Sequence, residues 1–325
     1  MTPRRTWLLA AGLAALAGAR AAAPPPGQRR LGVLLFDRPQ SWAFLPPELR
    51  QALAELGWVE GKNLSIDWRY AEGDAARLPA LAAALASSGV GAILTRGTPA
   101  TRALQQATTT VPILTGVGDP IGAGFARSYA QPGGNITGIS YAMVETQSKQ
   151  LELLREMLPR LARLTIVLQA NRQAFAQEIT RVYQATAQAV GITTRLALIE
   201  GVGGLGRALQ SAGASGTHAA FVFGFGKDID PAVFARIALQ AGVPTMFDQR
   251  FYVDVGGLMS YRLDWDNQTQ RTAAQIDKVF RGEKPAQIPF ELPTRSEFVL
   301  NARTAKALGL TIPHALRVRA DEVIE

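Results

Sequence analysis

One short unit is written twice between Val90 and Ala126, and it limits the folds open to this chain. An apolar run, first Ala92 to Thr95 and then Pro112 to Val117, is followed by glycine, a polar residue and proline, and then by a helical pattern. The polar residue suits a helix N-cap and the proline suits the first helical position, which predicts caps at Thr98 and Asp119. The unit therefore predicts two buried strands, each leading into a helix.

Two neighbouring helix N-termini leave unpaired backbone N–H groups at one edge of a sheet. Open α/β sheets bind ligands at that edge, beyond the carboxyl ends of the strands, and helix N-termini attract anionic groups there. The alternative is that these are only well-capped helices, which every α/β domain needs, because a fold does not fix a function. The spacing alone leaves both interpretations open.

Strand and helix patterns alternate on both sides of this unit. Leu31 to Phe36 is a continuous apolar run, as a buried parallel strand requires, and Leu64 to Tyr70 alternates apolar and polar residues. After a turn cluster at 131–135 the alternation restarts, with strands predicted at Leu164–Leu168, Thr193–Ile199 and Ala219–Phe223. The order predicts an α/β fold of two Rossmann-like lobes with parallel sheets.

Two later stretches are less regular. Gly201 to Gly206 (GVGGLG) follows a predicted strand but lacks the acidic residue about 20 positions on that accompanies a dinucleotide-binding loop. We interpret this stretch as a flexible connection. The tail from Pro285 to Glu325 is punctuated by proline, and we predict one short helix in it, around Arg303 to Leu308.

Composition excludes several classes of site. The 325 residues include no cysteine and two histidines, so a disulfide, a thiolate or histidine-rich metal site and a lipoprotein-type cysteine anchor are all excluded. The net charge of +8 is spread along the chain, which indicates a basic surface rather than a nucleic-acid partner. G-x-S-x-G, P-loop lysine and H-E-x-x-H motifs are absent, and we expect no catalytic residue, no cofactor and no metal.

The first 23 residues have the pattern of an export signal. Arg4-Arg5 precedes an apolar stretch from Trp7 to Ala17, and small residues lead to a cleavage site after Ala23. The apolar stretch is too short for a membrane anchor. Residues 4–8 resemble a twin-arginine signal with tryptophan in place of phenylalanine, but we favour an ordinary Sec signal. We expect cleavage, a flexible leader over 24–30, and a periplasmic protein with no lipid anchor.

Several stretches resemble the substrate-binding proteins of ABC transporters, of the type linked to uptake of tryptophan and other amino acids. The resemblance runs in order through nearly the whole mature chain. It is carried by LGWVEGKNL at 56–64, RYAEG at 69–73, GTPA at 97–100, GVGDPIGAG at 116–124, QPGGNITG at 131–138, GGLMSY at 256–261, TAKALGLTIP at 304–313 and RADEVIE at 319–325.

The resemblance implies a class I periplasmic-binding-protein fold, in which two lobes joined by three hinge crossovers trap a small molecule and pass it to an ABC permease in the inner membrane. We expect an N-terminal lobe of 31–136 plus about 262–285, and a C-terminal lobe and tail of 137–261 plus about 286–325. The expected ligand is an amino acid or related carboxylate, and the expected receptor is a monomer. A ligand-sensing module for a membrane signalling partner and an exported α/β enzyme are the alternatives.

Candidate ligand-binding residues follow from the preference of open α/β sheets for binding at strand carboxyl ends. Thr98 offers a hydroxyl and helix-terminal N–H groups to a carboxylate, whereas Asp119 suits a cap better than a ligand contact. Asp248 would hold a ligand ammonium or pair with Arg250. The candidates are Phe36, Asp37, Arg38, Ser41, Arg96, Gly97, Thr98, Gly118, Asp119, Ser140, Tyr141, Asn171, Phe223, Gly224, Asp248 and Tyr261.

Two positions depart from the family's pattern. Arg96 stands where the family more often has a small hydroxyl residue, and an arginine there would pair an acid group bidentately, or point to solvent or to an acidic neighbour. Asn171-Arg172 replaces the Asn-Pro pair of many relatives, which leaves the far wall of the cleft undefined. Aromatic residues would wall the ligand or serve as plain core, namely Phe36, Trp42, Phe44 and Phe223.

Overall fold

The computed structural model describes residues 28–36, 46–170, 173–210, 218–223, 230–263 and 267–325. The first of its two sheets is formed by β1 (Arg29–Leu35), β2 (Leu64–Tyr70), β3 (Ala92–Arg96), β4 (Ile113–Val117) and β5 (Ile136–Ser140). The spatial order is β2-β1-β3-β4-β5, and each neighbouring pair is parallel. All five carboxyl ends therefore lie at one edge of this sheet.

The second sheet has seven strands. They are β6 (Arg163–Gln169), β7 (Thr193–Ile199), β8 (His218–Phe223), β9 (Thr245–Phe247), β10 (Met259–Leu263), β11 (Ser296–Asn301) and β12 (Glu322–Ile324). Their order is β12-β11-β10-β9-β8-β6-β7, with a single antiparallel pair between β10 and β11. The tail after residue 285 thus completes this sheet.

Helices cover both faces of both sheets. In chain order they are α1 (Pro46–Glu55), α2 (Leu78–Ala86), α3 (Thr98–Ala107), α4 (Met143–Met157), α5 (Gln173–Gln188), α6 (Gly201–Gln210), α7 (Pro231–Gln240), α8 (Arg250–Asp254), α9 (Gln268–Phe280), α10 (Ala302–Ala307) and α11 (His314–Arg319). Short 3-10 turns lie at Ala75–Arg77 and Pro285–Gln287.

Packing against these helices explains why the strands are apolar. On the five-stranded sheet, α1 and α9 pack on one face around Leu31, and α2 and α3 pack on the other around Leu34. On the seven-stranded sheet, α4 and α5 cover one face and α6 to α8 cover the other. Strands buried on both faces have continuous apolar sequences. The prediction of two α/β lobes with parallel sheets is confirmed, except that β10 and β11 pair antiparallel.

The chain passes between the two sheets three times. The first crossover, residues 141–142, joins β5 to α4; the second joins β10 to α9; and the third joins Glu291 to β11. Glu291 itself pairs with Ile139, which lies in β5. The backbone N–H of Ser140 donates to the carbonyl of Glu291 at 2.9 Å, so the first and third crossovers begin side by side.

Four local predictions need correction. No helix follows Pro120: the chain makes a turn in which Asp119 Oδ1 accepts from the Gly122 N–H at 2.7 Å, and Gly124 (φ +70°) ends it. The predicted cap Thr98 is instead the first residue of α3, after Gly97. The GVGGLG stretch belongs to helix α6 rather than to a flexible connection. The tail contains β11, α11 and β12 besides the predicted short helix.

The start of β8 makes stability depend on pH. His218 is 3% exposed, and its Nε2 lies 3.0 Å from Thr165 Oγ1. Burial lowers the pKa of His218 from 6.5 to about 4, and Arg163 and Arg195 add to this effect. The unfolded chain therefore takes up a proton at higher pH than the folded chain does, so His218 favours unfolding as pH falls from 6.5 towards 4.

His218→Gln lacks this titrating group. As pH falls over that interval, we expect its free energy of unfolding to decrease less than that of the native chain, with a difference of up to about 3 kcal/mol. Urea unfolding at pH 7, 5.5 and 4.5 measures the difference. His314→Gln, which changes an exposed histidine, is the matched control. Parallel stability curves for the native chain and His218→Gln would contradict the expectation.

Candidate functional site

Candidate residues of the first lobe lie together along the carboxyl edge of the five-stranded sheet. Four adjacent strands end there in the order β1, β3, β4 and β5, and the loops that follow them carry the candidates. This is the arrangement that parallel pairing imposes on residues distant in sequence. The residues brought to this edge are Phe36, Arg96, Gly97, Thr98, Gly118, Asp119, Ser140 and Tyr141.

The start of α3 is the anion-attracting feature of this edge. Gly97 is the N-cap with φ +79° and ψ +151°, a conformation that glycine adopts readily, and it supplies no capping side chain. Thr101 anchors the helix from below, because its Oγ1 donates to the Gly97 carbonyl at 2.8 Å and lies 2.6 Å from Thr115 Oγ1. The first turn of α3 is therefore fixed with its positive dipole end at the edge.

Arg96 lies against the first crossover. Its guanidinium carbon is 5.3 Å from the centroid of the Tyr141 ring, within the range of a cation–π contact. Tyr141 Oη in turn accepts from Gln268 Nε2 at 3.1 Å. Arg96 is half-buried, so its charge stands at the base of the carboxyl edge beside α3. Two sources of positive potential, the guanidinium and the helix start, therefore adjoin each other.

The second lobe contributes a buried acid. Asp248 follows β9 and is 8% exposed, and Phe223 ends the neighbouring strand β8. Tyr261 is the third residue of β10, so it lies within the strand rather than after it. Phe223 and Tyr261 pack against the same core cluster as Tyr183. Arg250, the suggested partner of Asp248, forms ion pairs with Asp254, Glu297 and Glu322.

Two buried polar residues near Asp248 were not predicted. Tyr183 is fully buried, and its pKa is raised by burial and further by the negative charge of Asp248. The Tyr183 hydroxyl donates to Gln150 Oε1, and Gln150 Nε2 donates to the Tyr261 carbonyl at 2.7 Å. Gln150 stands on the apolar stripe of α4 next to Leu151 and Leu154, and this polar interruption was the available sequence signal.

Five candidates, Asp37, Arg38, Ser41, Asn171 and Gly224, lie outside the described residues, as do Trp42 and Phe44. The rest divide between the two sheets, eight on the first and three on the second. Among the described residues, no group of three or more acidic or histidine side chains is placed to hold a metal ion. In the same ranges, no helix combines the length and apolar character needed to cross a bilayer.

Comparison with known proteins places this architecture. The chain is 22% identical to the tyrosine-binding protein of Clostridioides difficile over 268 residues, which cover 80% of this chain and 75% of that protein. A solved structure of an ABC domain in complex with L-Trp from Streptococcus pneumoniae aligns with a TM-score of 0.66 at 24% identity, covering 91% of this chain and all (100%) of that one. A conserved domain protein from Vibrio cholerae aligns with a TM-score of 0.66 at 25% identity, covering 91% and 99%.

A family model gives the assignment. The model described as ABC transporter substrate binding protein matches residues 48–324. This match includes both sheets apart from β1, which precedes it. The chain belongs to the family of ABC transporter substrate-binding proteins.

Proposed function

We propose that this substrate-binding protein carries an amino acid, held between its two lobes, to an ABC permease in the inner membrane. The observation that carries the proposal is the position of Arg96 beside the start of α3, at the carboxyl edge of the first sheet. A carboxylate placed there would accept charge-assisted hydrogen bonds from the guanidinium and from N–H groups of the first helical turn. Thr98 adds a hydroxyl donor at the same point.

The charge of the second lobe complements this edge. Asp248 is a buried acid at the carboxyl end of β9, and a ligand ammonium near it would offset the cost of burying its charge. Phe223 and Tyr261 lie on the neighbouring strands β8 and β10 and offer aromatic surface. A positive edge on one lobe and an acid on the other suit a zwitterion. The tyrosine-binding relative and the L-Trp complex support the same ligand class.

Export completes the proposal. The arginine pair, apolar stretch and small residues of the first 23 positions support secretion and cleavage, and substrate-binding proteins of this family work outside the inner membrane. We infer that the receptor acts as a monomer in the periplasm and binds no nucleic acid. We infer also that it performs no chemistry on its ligand, because the family consists of receptors and not enzymes.

A thermal-shift panel tests the ligand class. The purified protein, unfolded and refolded to remove any co-purified solute, is heated with each of the twenty common L-amino acids, with tryptamine and with 3-indolepropionate. A ligand at 100 times its Kd contributes about 2.7 kcal/mol, which we expect to raise Tm by about 5–10 °C. The two tryptophan analogues, each lacking one charged group, are expected to give smaller shifts than L-tryptophan if tryptophan is bound.

The outcome that would overturn the proposed ligand class is a protein that unfolds cooperatively but shows no shift with any amino acid. A shift with 3-indolepropionate as large as that with L-tryptophan would contradict the proposed role of Asp248 and leave that of Arg96 and α3 standing. The native chain with sucrose or glucose, which carry neither charge, serves as the control for unspecific stabilisation.

A further inference from the structure

The first crossover holds a strained residue. Ala142, between β5 and α4, has φ +43° and ψ +48°, a left-handed conformation that a residue with a Cβ seldom adopts. Its N–H donates to Ser140 Oγ at 3.1 Å, and the flanking N–H groups of Tyr141 and Met143 donate to the carbonyls of Val117 and Gly118 at 2.8 and 3.0 Å. Contacts with the end of β4 therefore hold the backbone in this conformation.

The Tyr141 side chain packs against Gly116 of β4. A Cβ added at Gly116 would lie 2.3 Å from Tyr141 Oη, so the glycine in β4 leaves room for the phenol. On one side the ring faces Arg96, with 5.3 Å from guanidinium carbon to ring centroid. The hydroxyl accepts from Gln268 Nε2 at 3.1 Å, at the first turn of α9. Tyr141 thus links the end of β3 to the helix that follows the second crossover.

Helix α9 also holds the start of the third crossover. Arg271 Nε lies 2.5 Å from Glu291 Oε2, and Arg271 Nη2 donates to the Leu292 carbonyl at 3.0 Å. Gln275 Nε2 donates to the Gly138 carbonyl at 3.0 Å and to Glu291 Oε1 at 3.1 Å. Gln268, Arg271 and Gln275 lie on one side of α9, at i, i+3 and i+7. All three crossovers are therefore connected through this helix.

We propose that Tyr141 is a latch that couples the first crossover to the ligand site through Arg96, a role that rests on the proposed function. The Arg96 guanidinium lies over the Tyr141 ring, whose hydroxyl occupies the space beside Gly116. A carboxylate bound by Arg96 competes for that guanidinium, because a bidentate ion pair is stronger than a cation–π contact. Withdrawal of Arg96 removes a support of the Tyr141 ring and lets the crossover bend.

The latch predicts that loss of the Tyr141 ring changes ligand affinity in the direction opposite to that expected if Tyr141 contacted the ligand. If the Tyr141 ring holds Arg96 away from the ligand, then Tyr141→Leu frees the guanidinium and raises affinity, by about two- to fivefold given the size of a cation–π contact. If Tyr141 instead touches the ligand, the same substitution lowers affinity. The linkage is reciprocal, so ligand binding must loosen the crossover by the same coupling that the ring imposes on binding.

Distances between the lobes in the ligand-free protein test the latch without reference to the ligand. The chain has no cysteine, so nitroxide labels attach only at Ala76→Cys and Ala232→Cys. Both positions are exposed: Ala76 lies in the 3-10 turn that follows β2, and Ala232 lies in the first turn of α7, the next described helix after β8. Pulsed electron–electron double resonance then gives the distribution of distances between the two labels, and so between the two lobes.

We expect the distribution to broaden in Tyr141→Leu and in Arg96→Met, and to broaden less in Tyr141→Phe and Gln268→Met, which each remove only the hydroxyl contact. Tyr70→Phe, which removes a phenol hydroxyl at the opposite edge of the five-stranded sheet, is the matched control and is expected to leave the distribution unchanged. Distributions of Tyr141→Leu and Arg96→Met that superimpose on the native one would overturn the latch.

Calorimetric titration with L-tryptophan is the second arm. Tighter binding by Tyr141→Leu than by the native chain supports the latch, and weaker binding overturns it in favour of direct contact. If the native chain binds no amino acid of the thermal-shift panel while the ligand-free distributions broaden as expected, the result counts against the ligand class proposed above and the latch stands. The two proposals therefore fail separately.

Discussion

Changing Thr98 to valine and Arg96 to alanine together is expected to weaken binding of an amino acid by roughly 10²- to 10⁴-fold. Each substitution removes a group that we propose as a donor to the ligand carboxylate, and hydrogen bonds to a charged partner contribute about 1.5–3 kcal/mol each. Because Arg96→Ala removes the guanidinium itself, the gain in affinity expected of Tyr141→Leu does not arise in this variant. Calorimetric titration with the strongest ligand from the thermal-shift panel measures the effect.

A matched double variant separates this effect from general damage. Thr110→Val with Arg155→Ala changes the same two residue types at exposed positions away from the carboxyl edge. That control is expected to bind like the native chain, and both double variants are expected to unfold at nearly the native temperature. Native affinity in the Thr98→Val, Arg96→Ala variant would show that the acid group of the ligand lies elsewhere.

The strands could be predicted because burial on both sides leaves a continuous apolar sequence. The strand predicted over Thr193–Ile199 has those bounds in the structure, and the ends of β3 and β4 fall within one residue of the prediction. Positions at the carboxyl edge followed from those strand ends. Turn chemistry was less informative, because Asp119-Pro120 begins a single turn that Gly122 and Gly124 prevent from continuing as a helix.

Long-range packing accounts for the failures. A Cβ at Gly204 would lie 2.9 Å from Ile199 Cβ, so the glycine permits close approach of α6 to β7. Leu205 and Leu209 of the same helix are fully buried. The glycine-rich stretch therefore forms a helix despite its low propensity. Strand β11 becomes part of the second sheet by pairing with β10, more than 30 positions earlier in the sequence, which no local pattern indicates.

Side-chain links at the site were also hidden from the sequence. The Tyr141–Gln268 hydrogen bond joins residues 127 positions apart, and Tyr183 and Gln150 are 33 positions apart. The sequence identified Tyr141 as a residue after a strand, which fits either a ligand contact or a hinge contact. Only the position of Gln268 at the start of α9 shows that the Tyr141 hydroxyl is part of a connection between crossovers.

Replacing Gly138 by alanine is expected to destabilise the first lobe by roughly 3–5 kcal/mol, because β5 has no room for a side chain there. Gly138 has φ +149°, and an added Cβ would lie 1.9 Å from the Thr115 carbonyl oxygen in β4. Since that neighbour is backbone, β5 must move away from β4. The same movement would disturb the Gly138 carbonyl, which accepts from Gln275 Nε2 and from the Glu291 N–H at 2.9 Å.

Thermal unfolding measures this loss, and we expect Tm to fall by about 10 °C. Gly134→Ala is the matched control, because an added Cβ at Gly134 meets no atom within 4 Å, and its Tm is expected to stay near the native value. If Gly138→Ala unfolds with the control, the strand tolerates displacement and the first crossover has more freedom than its contacts indicate. If it unfolds early, the crossovers depend on close contact between β4 and β5, and the Tyr141 latch acts on a backbone that is otherwise held in place.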